Sequence, residues 1–201
     1  MAISENIFEY VRDNHGLFAS WAVWPDPGVK PKSNMEDLSI FEPPKLKETL
    51  EALHNDYVLV ALNISTIEIK TPLSNFHGQN GEVYKARYAL SDTPLWGSYM
   101  TDILKDFQEP DSSKVEKVIK KDSSLIIPHL DFFREEMSVL GSSNTTLVAF
   151  GGLVYSILND HLSTEFSIAK IDHYAVRSSK EKYRKKVLSQ IANLDSMSSQ
   201  N

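Results

Sequence analysis

The chain has 201 residues, 41% of them hydrophobic and 24% charged, the proportions of one folded domain with a sizeable core and no second full domain. It has no cysteine, which excludes disulfides, thiolate catalysis and sulfur-ligated metal, so any nucleophile is oxygen or nitrogen. A net charge of -6 excludes a protein that coats nucleic acid through a generally positive surface.

No apolar run approaches the roughly 18 to 20 residues that span a bilayer. The start Met1-Ala-Ile-Ser-Glu-Asn lacks the basic and apolar regions of a signal peptide. A cytoplasmic protein with no membrane partner is therefore expected.

In chain order, Ile7, Tyr10 and Val11 at helix spacing predict a helix over Ile3 to His15, ended by Gly16. Leu17 to Trp24, rich in aromatic and β-favouring residues, is a strand or extended segment, and Pro25-Asp-Pro-Gly28 with Pro31 turns the chain into a loop after it. Leu46, Leu50 and Leu53 mark a helix over Lys45 to His54, which leads into a strand at Tyr57 to Leu62. A long connection without clear periodicity runs from Asn63 to Gly81, and long loops of this kind often bind ligands. Glu82 to Leu90 is a helix and Ser98 to Leu104 a strand. Ser112 to Lys121 and Ser124 to Leu140 are helices, the second with Ile126, Leu130, Phe133 and Met137 on one face and Gly141 as its C-cap. Thr146 to Phe150 is a strand that passes through Gly151-Gly152 into a helix. Phe166 to Ile171 is the last strand, and Ser178 or Ser179 caps a helix through about Leu194.

Strands alternating with helices predict a three-layer α/β/α sandwich around a central, mainly parallel four-stranded sheet. Residues 1–201 form a single domain, with 1–55 as an N-terminal helical and extended region and 195–201 as a frayed tail.

Each of the four strands runs into a polar cluster: Asn63-Ile-Ser65, Thr101-Asp102, Gly151-Gly152 and Asp172-His173. In an open parallel sheet the strand C-termini share one edge, where ligands bind. Asn63 can hold a water or a ligand carbonyl there, or satisfy the backbone of its own turn. Phe76, beside His77 in the long loop, can stack on a planar ligand or anchor the loop in the core. Asp102 can bind a donor edge or a cation, or cap the segment that follows. His173 can donate to an oxyanion or move a proton near neutral pH, or be structural. The remaining helix-associated histidines, His15, His54, His129 and His161, show no paired ligand spacing, so no metal site is expected. GxGxxG, GxxxxGK[ST] and GxSxG are all missing, which ranks dinucleotide, P-loop and α/β-hydrolase chemistry low, and no cofactor is implied. Between Arg177 and Lys186 six cations face one carboxylate, a localised phosphate contact or a solvated helix end.

The ordered set Val58-Leu-Val-Ala-Leu-Asn-Ile-Ser65, Asn75-Phe76, Tyr99-Met-Thr-Asp-Ile-Leu-Lys105, Leu147-Val-Ala-Phe-Gly151 and Asp172-His-Tyr174 resembles the uracil-DNA glycosylase superfamily, across about Asp56 to Leu188. The resemblance implies a divergent DNA-repair hydrolase that cleaves the N-glycosidic bond of a flipped base. It gives Asn63 and His173 the catalytic roles, the first orienting water and the second stabilising charge on the departing base. Phe76, Asp102 and Tyr174 then bind the substrate, and Arg177, Lys180, Arg184 and Lys185 lie near the DNA backbone. Since Asn63 has no titratable carboxylate, it orients water and takes no proton. The alternatives on the same architecture are an enzyme or binder for a small molecule, a base or nucleoside, which suits the acidic surface, and a non-catalytic interaction protein.

Overall fold

Val58, Val60 and Leu62 pack into one hydrophobic core while Leu59 and Ala61 pack into another. A strand alternates its side chains between two faces, so a strand apolar at every position is one covered on both sides. This is β2 (His54–Asn63), the centre of the sheet. The computed structural model describes residues 2–64, 69–79, 81–141 and 144–198, with side chains through Leu194.

In chain order the elements are α1 (Glu5–Asn14), β1 (Ala19–Trp21), α2 (Leu46–Ala52), β2, α3 (Tyr84–Leu90), β3 (Ser98–Leu104), α4 (Ser112–Lys121), α5 (Ile127–Val139), β4 (Thr146–Phe150), α6 (Gly152–Leu162), β5 (Ser167–Ile171) and α7 (Lys180–Ser198). The sheet has the order β1-β3-β2-β4-β5. β2 pairs in parallel with both β3 and β4, and β4 with β5. The fold is mainly parallel α/β, but the sheet has five strands rather than the expected four. The extra one is β1, three buried residues that run antiparallel along the free edge of β3, with Ala19 opposite Thr101 and Trp21 opposite Tyr99. Three residues are too few to show an alternation, and their pairing depends on β3, far along the chain.

Both faces are covered, giving the three layers. On one side Phe8 and Val11 of α1, Val115 of α4, Phe133 and Met137 of α5, and Ile157 and Leu158 of α6 pack on Val58, Val60, Tyr99 and Leu147. On the other, Ala86 and Leu90 of α3 and Tyr183, Val187 and Ile191 of α7 pack on Leu59, Met100 and Val148. Burying each Val, Leu, Ile, Phe or Met side chain among these contributes about 1.5–3 kcal/mol. Ser4 caps α1 by accepting from the Ile7 N–H, and Ser179 caps α7 by accepting from Lys182. The helix expected from Ser124 starts as a tighter 3-10 turn over Ser123–Ile126, and α5 follows from Ile127 with Pro128 in its first turn. Gly141 follows α5 with φ +68°, the left-handed conformation that closes a helix. Among the described residues, no helix is long and apolar enough to cross a membrane.

After β2 the chain moves to β3 on one side, and after β3 it returns to β4 on the opposite side of β2. Connections leaving in opposite directions part the loops at the strand C-termini, and a crevice opens there.

Candidate functional site

Side chains two apart on a strand share a face. Ala61, Met100, Val148 and Ile171 all belong to the core under α3 and α7. Two positions further on stand Asn63, Asp102 and Phe150, still within their strands and so on the same face, while His173 follows two residues after the end of β5 at the same end of the sheet. They border a single cavity of about 720 Å³ whose wall also includes Asn75, Phe76 and Tyr174. The sequence-derived residues Asn63, Phe76, Asp102, His173 and Tyr174 are thus neighbours in space. Ser65 lies outside the described residues.

Asn63 is the last residue of β2. Its amide nitrogen donates to the carbonyls of Phe107 at 2.8 Å and Glu109 at 2.9 Å, tying the segment after β3 to the central strand. With both N–H bonds so directed, the carboxamide oxygen is the group Asn63 can offer to a water or ligand.

Asp102 is buried in β3. Its Oδ2 accepts from Asn75 Nδ2 at 2.8 Å. Burial raises its pKa to about 7, with the Asn75 bond and the positive charge of Lys105 opposing the rise and Glu136 adding to it. A carboxyl that titrates near neutrality on a cavity wall can accept or deliver a proton, and such groups concentrate at functional sites. Sequence reasoning gave Asn75 no role beyond its place next to Phe76, since nothing in local spacing shows that a loop amide will meet a strand carboxyl.

Phe76 is buried and has φ +67°, a conformation that costs a non-glycine residue about 1–2 kcal/mol. The loop is held in it by Trp24, whose indole N–H donates to the Phe76 carbonyl at 3.1 Å, and by Ser20, whose hydroxyl donates to Leu73 at 2.8 Å. His77 beside it packs between the rings of Trp24 and Phe41.

His173 packs edge-on against Phe150, with centroids 6.1 Å apart, and over Tyr174 at 4.3 Å. Its Nδ1 accepts the Ala175 N–H at 3.0 Å, which assigns the proton of the neutral ring to Nε2. Burial lowers its pKa to about 4. At neutral pH it is therefore an uncharged hydrogen-bond donor. The preceding Asp172 fixes its position. The Asp172 carboxylate accepts from Gln190 at 2.9 Å and pairs with Lys186 at 2.6 Å, while the Asp172 carbonyl accepts from the Tyr183 hydroxyl at 2.9 Å. Burial, helped by the charge of Asp102, pushes the Tyr174 hydroxyl well above its usual range, so it stays protonated.

Gly151, φ +88°, precedes α6, which has no side-chain cap, and Gly151 to Val154 form part of the cavity wall. The uncapped end adds backbone N–H donors and a partial positive charge there.

The basic segment lies elsewhere. Arg184 donates to the Tyr88 carbonyl on α3 and sits 3.8 Å from Asp92. Lys180 lies 3.8 Å over the Tyr88 ring and pairs with Glu181 at 2.9 Å. Neither these nor Arg177 and Lys185 line the cavity, whose charged wall residues among those described are Glu36, Glu82, Asp102 and Glu109. No cluster of three or more His, Asp or Glu able to hold a metal is found among the described residues.

Comparison with known proteins finds no matching family model, curated protein or solved structure.

Proposed function

We propose that the cavity binds a nucleobase and supports hydrolysis of the N-glycosidic bond that joins it to a sugar. The observation that carries this reading is the convergence of Asn63, Phe76, Asp102 and His173, from four separate segments, on one cavity. Its volume of about 720 Å³ lies within the range of small-ligand sites. The rings of Phe76, Phe150 and Tyr174 suit a flat ligand, Asp102 the polar edge of that ligand, and the Asn63 oxygen a water. In the reaction the C1′–N bond breaks and its electron pair leaves with the base. The water oxygen bonds to C1′, one water proton passes to solvent, and the His173 Nε2–H stabilises the negative charge on the leaving base.

The base can arrive in DNA or as a free nucleoside. Among the described residues no Lys or Arg lines the cavity, and Lys180 and Arg184 are turned toward Tyr88, which favours the nucleoside, since a phosphate backbone is held by free cations.

Thermal-shift measurements with bases and nucleosides test the reading, because a ligand stabilises the native state by mass action. Saturable stabilisation that is lost in Phe76→Ala is expected, as is release of free base that falls about a hundredfold or more in His173→Ala. Binding to single-stranded or abasic DNA that weakens with salt and with charge reversal at Arg184 and Lys185 would favour the DNA form. If neither nucleosides nor DNA bind, the proposal is wrong.

A further inference from the structure

A buried carboxylate is stable where donors match its lone pairs. Among the described residues Asp102 receives a single donor, the Asn75 N–H at Oδ2. The nearest cation of the same strand end, Lys105, is taken by Glu136 at 2.6 Å and by the Thr101 hydroxyl, also at 2.6 Å. Among the described residues no Lys or Arg forms an ion pair with Asp102, and its second oxygen accepts no hydrogen bond. Asp102 nevertheless stands on the cavity wall with the rings of Phe76, Phe150 and Tyr174. The cavity therefore contains an acceptor in want of donors, among surfaces that suit a flat molecule.

Building on the nucleobase reading, we infer that Asp102 is a specificity residue for a base whose edge carries adjacent N–H donors, the HN–C–NH2 arrangement of guanine, and that it rejects uracil. A carboxylate meets that arrangement with two parallel N–H···O bonds. Uracil has one N–H flanked by two carbonyl oxygens, so pairing with it sets an oxygen lone pair against the carboxylate. A site built for a donor discriminates strongly against the analogue that lacks it, because the buried acceptor is left unpaired.

Calorimetric titration of the full chain at pH 8.5 with guanosine, inosine and uridine tests this. Inosine is guanosine without the exocyclic amine. Guanosine is expected to bind about tenfold or more tighter than either of the others, and Asp102→Asn to bring guanosine down to the inosine level. The guanosine-to-inosine ratio of the unaltered protein decides the matter by itself should that variant fail to fold. Equal affinities, or tighter uridine binding, with Phe76→Ala weakening all three, would overturn the donor-edge assignment and leave the nucleobase reading in place. No binding by any of the three, or binding indifferent to Phe76→Ala, would overturn both.

Discussion

The Asn75 amide bridges two parts of the chain by donating both of its hydrogens, one to the Asp102 carboxylate at 2.8 Å and one to the Phe18 carbonyl at 2.8 Å. A loop residue thereby ties the cavity-lining segment around Phe76 to β3 and to the chain leading into β1. Among the described residues it is also the one side chain that offsets the burial of Asp102 by hydrogen bonding.

Asn75→Ala removes both bonds and leaves the buried Asp102 carboxylate unpaired, while the Phe18 carbonyl keeps the Asp102 N–H at 3.4 Å. A loss of about 1–3 kcal/mol is expected, measured by urea denaturation. The Asp102 pKa should rise further, since the bond that lowers it is gone, and carbon-13 NMR of the carboxyl reads that directly.

The Asp102 carboxyl, raised from 3.8 to about 7, holds its proton more tightly in the folded chain than in the unfolded one. Its contribution to stability is complete below about pH 4, declines as the pH rises toward 7 and is then constant, a change on the order of 4 kcal/mol. His173 acts in the opposite sense: its pKa is depressed to about 4, so stability present above about pH 6.5 is lost as the pH falls to 4. Asp102→Asn keeps an oxygen to accept from Asn75 and removes the carboxyl titration. Its melting temperature is expected to exceed that of the unaltered protein at pH 8, by a margin that grows between about pH 4 and 7, since the opposing histidine titrations are common to both proteins. A margin that is negative at pH 8, or that does not change across that range, would refute this account.

Lys105 and Glu136 form a buried pair on the other side of β3, and Glu136 also accepts from Tyr99 at 2.8 Å and Thr101 at 2.9 Å. Lys105 additionally lies over the rings of Phe18 and Phe132. Glu136→Ala strands a buried ammonium and is expected to destabilise by about 3–5 kcal/mol. Replacing both partners, Lys105→Met with Glu136→Leu, should recover a large part of that loss. Chemical denaturation of the two variants side by side measures the difference.

Gly151→Ala places a side chain at φ +88°. A Cβ there would meet the His173 Cβ at 3.5 Å, an ordinary contact, so the cost is backbone strain, about 1–3 kcal/mol in this extended positive-φ region that glycine alone adopts readily. Calorimetric melting should show that loss. If ligand binding also weakens, the turn into α6 shapes the cavity as well as the fold.

Much of the framework was legible because each central strand is a short apolar run that ends in a polar cluster, and parallel strands bring those ends to one edge of the sheet. Leu17 to Trp24 was legible as a strand or extended segment, but its place in the sheet was not, because Ala19–Trp21 joins the sheet only through its pairing with β3. The basic run from Arg177 was visible as charge. That Arg184 reaches Tyr88 and Lys186 reaches Asp172 depends on how α7 lies against α3 and β5.

By itself the amino-acid sequence determined which residues end the strands and that those ends share one edge of the sheet, since both follow from apolar runs that stop at polar clusters and from the common polarity of parallel strands. The tertiary structure alone decided that Asn63 spends its N–H groups on the Phe107 and Glu109 carbonyls, and that Asn75 meets Asp102 from 27 positions away. It also set the raised pKa of Asp102. Hydrogen-bond partners and desolvation are properties of packed neighbours, and neighbours distant in the chain are chosen only when the whole core closes.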